Sequence, residues 1–307
     1  MTDLQIRKMR FGFSDHDVPF LWNETNPGFS AMANAVSFLA VPFEKMIGAL
    51  IPEVKPLIKD PAVAEEADAF VRQEGQHSMA HRQHVKGLIK SYPALKETFD
   101  QVMAAFDDLT ANASLQYRLA YTADLEATFT PVFKLMLDND DTLFAPGDDR
   151  VASLFLWHFV EEVEHRSSAL IIYNDVVDDP FYRVKVVRSV FKHVLGVLQM
   201  AAAGFNEHIP LEVRKVDAMS TFATYRYKKA LLERLPFVPR PADHGPVVNP
   251  FAQLAVREQL AALTGIVRSQ LPNHKPEHEK LPALADVWFD RYNEGYDVTN
   301  WYTATAK

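Results

Sequence analysis

Cysteine is missing from the chain altogether. Without a thiol there is no disulfide, thiolate nucleophile, zinc–thiolate site or iron–sulfur cluster, so any bound metal must sit on oxygen and nitrogen. Basic charge is also short: 32 Lys and Arg stand against 40 Asp and Glu, giving a formal net charge of −8 and a pI near 5.8. A nucleic-acid binder normally carries a basic stripe, and none is present. No run shows the period-two alternation of a strand. Residues 1–20 lack the apolar segment of a signal peptide or membrane anchor, and the uncharged stretch from Val194 to Phe205 is too short for a span. These absences lead to the expectation of a soluble, all-α, cytoplasmic protein. Its 48% hydrophobic content is ample for a continuous core.

An irregular lead-in over residues 1–29 places Pro19, Pro27 and Gly28 among Phe11, Phe13, Phe20 and Trp22. Ser30 to Leu50 is then apolar and Ala-rich, interrupted by Pro42 and closed by Pro52. Asp60-Pro61 has the cap-then-proline form of a helix start and opens a helix over about Ala62 to Lys90. Ala94 to Leu137 reads as two helical pieces divided near Thr110. The acidic run from Asp138 to Arg150 lacks the turn Gly and closing Glu of a calcium loop, and reads as a solvated linker. A long helix follows over Phe181 to Phe205, whose basic start also admits a helix lying on a membrane surface. Shorter helices are expected over about Val213 to Leu235, Pro250 to Leu271 and Leu281 to Tyr292, split by the Pro-rich stretch Pro236 to Pro250. His274 and His278, with Pro276 between them, read as exposed loop. The expected organisation is a bundle core over residues 30–205 with a helical extension, residues 206–307, packed on it.

The densest chemistry lies in WHFVEEVEH, Trp157 to His165. At about 3.6 residues per turn, His158, Glu161, Glu162 and His165 share one helical face. A second Glu-x-x-His, Glu74-Gly75-Gln76-His77, stands upstream, with His81 one turn further on. A single motif of this kind is usually solvent-facing, and a single buried acid such as Glu44 or Glu126 is usually paired to an Arg such as Arg118. Taken together, Glu44, Glu74-x-x-His77, Glu126 and Glu162-x-x-His165 follow on four successive helices. Two helices give one carboxylate each and two give a paired motif, the ligand order of dimetal-carboxylate bundles. The second helix pair repeats the first at a similar offset, so each half is expected to feed one metal. Charge points the same way: an ionised carboxylate in a low-dielectric interior carries an idealised cost of order 20 kcal/mol, and four together need cations.

His158, one turn before Glu162, can reach the same metal as Glu162 and His165 or can support a ligand. His81 is expected to support one. Glu161 shares the ligand face and is expected to bond a ligand, while Glu164 points sideways to Arg166 or another helix. Pro42 and Pro131 stand near the single carboxylates, free the carbonyls of Phe38 and Ala127, and give room for a substrate pocket.

From about Ser30 to Asp178 the chain resembles the ferritin-like dimetal-carboxylate superfamily. Glu74-Gly75-Gln76-His77 with His81, followed by WHFVEEVEH, resembles the bacterial family labelled predicted metal-dependent hydrolases. The third histidine, His158, is similar to the pattern in p-aminobenzoate N-oxygenases. The first resemblance implies a ferritin-like four-helix bundle, the second implies hydrolysis, and the third implies that His158 is a ligand and that the enzyme activates O2. The expected metal ligands are Glu44, Glu74, His77, Glu126, His158, Glu162 and His165, with Glu161 and His81 as further catalytic candidates. Two ions are expected, iron before manganese or a mixed manganese–iron pair, and zinc last. The favoured chemistry is O2 activation and oxidation of a small organic substrate, with an electron-donor protein as partner and a homodimer allowed. The alternatives are a hydrolase using a metal-bound hydroxide and a non-catalytic iron or manganese store or ferroxidase.

Overall fold

The computed structural model describes residues 4–234 and 242–304, and every regular element among them is helical. Helix α1 (Pro27–Val54) starts at Asn26, whose side chain accepts the Phe29 amide at 3.0 Å, with Pro27 at a position that needs no amide donor. It runs unbroken through Pro42 and Pro52, so Pro52 does not close it. The buried face Met46, Ile47, Leu50, Ile51 and Val54 continues past that proline, and its packing outweighs one lost backbone bond. Helix α2 (Pro61–Ser91) opens at Asp60, whose carboxylate accepts the Ala62 amide at 2.9 Å. Helices α3 (Leu95–Asn112) and α4 (Leu115–Leu137) divide slightly beyond Thr110, because Ser114 caps α4 through the Tyr117 amide.

The acidic run is more than a linker. Asp140–Leu143 forms a helical turn, α5, and Leu143 and Phe144 are buried, with the Phe144 ring 5.2 Å from that of Phe29. Helix α6 (Asp149–Glu164) is followed by α7 (Ser168–Val176) and the long α8 (Tyr182–His208). The stretch expected to be one helix from Val213 resolves into α9 (Leu211–Arg214), a 3-10 turn (Ala218–Thr221) and α10 (Ala223–Glu233). Leu235 and residues 236–241 of the Pro-rich stretch lie outside the described residues. Helices α11 (Val256–Ser269) and α12 (Ala283–Asn293) complete the chain. Between them His278 is exposed, as expected of a loop, while the His274 side chain is 6% exposed and burial pushes its pKa down to about 4.

Helices α1 and α2, joined by a short turn, pack along each other, and α4 packs on α6. These two pairs close on one another, with α3 and α8 along the outside of α1, α11 along α4, and α12 on α6. The lead-in is held by Asn34, which donates to the Phe20 carbonyl, and by Asn23, which donates to that of Leu143. At the other end, the amides of Tyr302 and Thr303 donate to the Asp149 carboxylate at the start of α6, both at 2.9 Å. Two stretches, Pro27–Leu57 and Tyr182–His208, are long and apolar enough to cross a membrane by length and composition. The most apolar part of the first is 72% buried in the bundle and that of the second 28%, and the second extends well beyond the uncharged stretch from Val194 to Phe205.

Candidate metal centre

Four helices bring seven side chains into two adjoining sets. Glu44 from α1, His77 from α2 and His158 from α6 form one; Glu74 from α2, with Glu126 from α4 and Glu162 and His165 from α6, form the other. Within each set the ligand-capable atoms lie within 4.8 Å of one another, and all seven residues are buried. Each set draws side chains from both halves of the sequence. Glu74 and His77 are about 4.5 Å apart along the helix axis, three steps of 1.5 Å, so α2 deals one donor to each set. For the same reason His158, Glu162 and His165 do not all fall in one set.

Two carboxylates span the pair. Glu162 Oε1 lies 2.9 Å from His158 Nε2 and 3.5 Å from His77 Nδ1, while its Oε2 lies 3.3 Å from His165 Nε2. Glu74 Oε1 is 3.2 Å from His165 Nε2 and 3.8 Å from His77 Nδ1. Glu44 stands on one side, 3.5 Å from His158, and Glu126 on the other, 3.5 Å from His165. His165 is the residue at which α6 ends, and its backbone has left helical geometry.

Each histidine is gripped from behind by its other ring nitrogen. His77 Nε2 meets Glu161 Oε2 at 2.8 Å, His165 Nδ1 meets Gln73 Oε1 at 3.1 Å, and His158 Nδ1 meets His81 Nε2 at 2.7 Å. A ring that donates backwards presents a lone pair forwards, the geometry of metal-binding imidazole. Behind His81 the chain continues: Ser37 Oγ lies 2.8 Å from His81 Nδ1 and 2.9 Å from His84 Nδ1. If His158 donates to His81, then His81 donates to Ser37, and the Ser37 hydroxyl donates to His84. His81 and Glu161, the further catalytic candidates, thus lie behind the donors, with their polar atoms engaged by His158, Ser37, His77 and Arg7.

Arg7 and Gln73 had no signal in the sequence. Arg7 donates to Glu161 at 2.9 Å and to Glu164 at 2.8 and 3.0 Å, with its guanidinium over the rings of Phe289 and Tyr292 on α12. Glu164 therefore answers Arg7, not Arg166, whose guanidinium donates to the carbonyls of Val163 and Pro276. Gln73 also donates to Glu164 at 2.9 Å. Arg118 pairs with Glu53 and leaves Glu44 and Glu126 alone.

Packed this closely, the groups of the cluster shift one another's protonation strongly, and the acids around His165 hold it well above the usual imidazole range against its burial. Burial, reinforced by Glu74, Glu162 and Glu126, holds Glu44 well above the usual carboxylate range. Burial with Glu162 and Glu74 does the same to Glu126, and burial with Glu162 raises Glu74 to about 7. Glu162 is held well below the range, because His165, His158 and His77 outweigh its burial. His77 is raised to about 9 as Glu161, Glu162 and Glu74 overcome burial, whereas burial and His77 lower His158 to about 4. Eight polar atoms of the cluster make no hydrogen bond among the described residues: Glu44 Oε2, both oxygens of Glu74 and of Glu126, Glu162 Oε2, His77 Nδ1 and His165 Nε2. Leaving so many buried acceptors unmatched would cost about 1–3 kcal/mol each. Oxygen and imidazole donors that converge, face inward and lack partners fit divalent cations.

A cavity of about 270 Å³ opens beside the first set, with Glu44 and His158 in its lining. It borders Leu39, Ala40 and Phe43 around Pro42, and Thr128, Phe129 and Val132 around Pro131.

No curated protein and no solved structure matches the chain. A family model described as "predicted metal-dependent hydrolase" matches residues 5–242, a span that contains all seven donors together with Arg7, Ser37, Gln73 and Glu161. The donors and the residues that grip them from behind thus fall inside one family match covering most of the sequence, and the chain belongs to the predicted metal-dependent hydrolase family.

Proposed function

We propose that the seven donors hold two divalent metal ions and that the centre hydrolyses a small organic substrate. The observation that carries this reading is the convergence of seven buried acids and imidazoles, eight of whose inward-facing polar atoms make no hydrogen bond among the described residues, together with membership of the family. Bound divalent ions supply Lewis-acid polarisation of a carbonyl and a nucleophilic water near neutral pH. The chain's own residues prepare that chemistry. Glu74 and Glu162 link the two sets, and Glu161, Gln73 and His81 fix the three imidazole tautomers. The apolar shell of Phe70, Trp157 and Phe159 excludes bulk water. Elemental analysis tests the metal part: two ions per chain are expected, falling to one or fewer in Glu162→Ala, and an unchanged count in that variant would refute the linking role. Turnover of a panel of esters and amides tests the reaction.

Oxidation of a substrate with O2 is a second reading, favoured by a cavity whose wall is almost wholly apolar and by a mixed carboxylate and imidazole donor set that suits iron. Mixing anaerobically reduced protein with O2 separates the two. O2 uptake with a transient absorption band and no ester or amide turnover selects oxidation; turnover with no O2 uptake selects hydrolysis.

A further inference from the structure

The cavity beside Glu44 and His158 has an inner and an outer end. Glu44 and His158 are 3% and 2% exposed, whereas Leu195 of α8, on the same cavity, is 42% exposed and Phe222 is half-buried. The space therefore runs from the surface between α1 and α8 to the first donor set. Polar groups in its wall are few and already engaged. Thr128 donates its hydroxyl to the Asp124 carbonyl at 2.8 Å, and Thr221 donates to that of Ala218 at 2.9 Å. Among the lining side chains, only Glu44 keeps an oxygen without a hydrogen bond among the described residues, and it stands at the inner end. A ligand in this space can satisfy polar atoms only at the donor end, and its remainder must be apolar.

We infer that this cavity is the substrate site and that it takes a molecule with an unbranched or flat apolar tail whose polar, oxygen-bearing head faces Glu44 and His158. At about 30 Å³ for each small heavy group, the share of a water molecule in the liquid, 270 Å³ accommodates a tail of about nine such groups. Ala35 and Ala40 present small side chains to this space, and Phe43 and Phe129, packed edge to face with ring centroids 6.0 Å apart, form part of its wall. The inference deepens the proposed function and rests on it, because the head group is placed by the metal centre.

Straight-chain carboxylates from butanoate to dodecanoate, the acid products that ester or amide hydrolysis would release, are the probes. Their binding to the metal-loaded full chain is read by calorimetry, with metal content measured on the same samples. Affinity should rise about fourfold per added methylene, the factor expected for burying each one, until the cavity is full, and then stop rising. Val36→Phe, two turns of α1 away from Glu44, should cut long-chain affinity at least tenfold and butanoate affinity much less. Leu195→Asp, on the exposed rim and so tolerated by the fold, should also weaken the long chains. A flat series in metal-loaded protein overturns the inference, as does a series that persists unchanged in both variants. A series seen in a parent chain whose measured metal content is nil after loading keeps the cavity as an apolar site and refutes the metal centre instead.

Discussion

A hydroxyl at position 37 bears on which nitrogen of His158 faces the carboxylates. Ser37 joins His81 and His84, and its loss leaves His81 Nδ1 without its partner, so the His158 ring is no longer locked. Ser37→Ala should weaken metal binding at the His158 set tenfold to a hundredfold, the usual effect of losing an outer partner, with Ser37→Thr restoring it. Competition with a coloured chelator reads this, and equal affinities would reduce Ser37 to packing. His84 makes a separate prediction. Burial pushes its pKa from the ordinary 6.5 down to about 3, so the folded protein keeps it neutral while the unfolded chain takes up a proton below 6.5. Its contribution to stability is therefore complete above pH 6.5 and is lost as pH falls toward 3, at up to about 1.4 kcal/mol per pH unit. Urea denaturation of His84→Gln should show a shallower acid slope than the parent between pH 6 and 4. The shared faces of Glu74 with His77 and of His158 with Glu162 and His165 were legible because steps of three and four are local, and Glu44 and Glu126 followed only from the order of the four helices. Ser37, Gln73 and Arg7 were not legible, since their partners lie 44, 92 and 154 positions away.

At the scale of elements, the helices were readable from caps and breaks, as at Asp60-Pro61, while prolines misled inside α1. Pro42 and Pro52 stay inside α1 because burial on both sides holds the helix together, and burial is a tertiary property that a local rule does not contain. The division of donors between the sets was hidden for a similar reason: the spacing gives the shared face, but the axial offset of the facing helices decides which atoms meet. Helix α11 shows how closely two elements can fit. A Cβ built on Gly265 would come within 2.6 Å of the Pro131 ring of α4, so the absence of a side chain lets α11 lie directly on the helix that carries Glu126. Gly265→Val should lift α11 and destabilise the fold by about 1–3 kcal/mol, measured by chemical denaturation. An unchanged midpoint would mean that α11 can shift without loss.

For the molecule as a whole, the N-terminal lead-in and α12 converge behind the candidate donors. Arg7 comes from the lead-in and Phe289 and Tyr292 from α12, and between them they hold Glu161 and Glu164 at the end of α6. The place of α12 could not be read from its own sequence, because nothing local to it signals a carboxylate pair on α6. Arg7→Met leaves Glu161 buried without its cation and should cost about 3–5 kcal/mol, seen as a lowered melting temperature. Metal removal should act on the same scale of stability: ions present at a thousand times their dissociation constant stabilise by about 4.1 kcal/mol per site, so a chelator should lower the melting temperature of the parent. Glu74→Ala, having lost a donor that spans both sets, should respond less to the chelator than the parent does.

The two donor sets are not equivalent seats. Beyond Glu74 and Glu162, which span both, one adds two imidazoles and a carboxylate, the other a single imidazole and a carboxylate. Nitrogen-rich surroundings suit later transition ions, and oxygen-rich surroundings suit harder ones. The centre should therefore fill in order, with one seat claimed by the first equivalent and the other discriminating among whatever cations remain. Stepwise titration with a single metal would show two unequal inflections, and titration with a mixture of manganese and iron would yield an ordered hetero-pair in preference to a statistical blend.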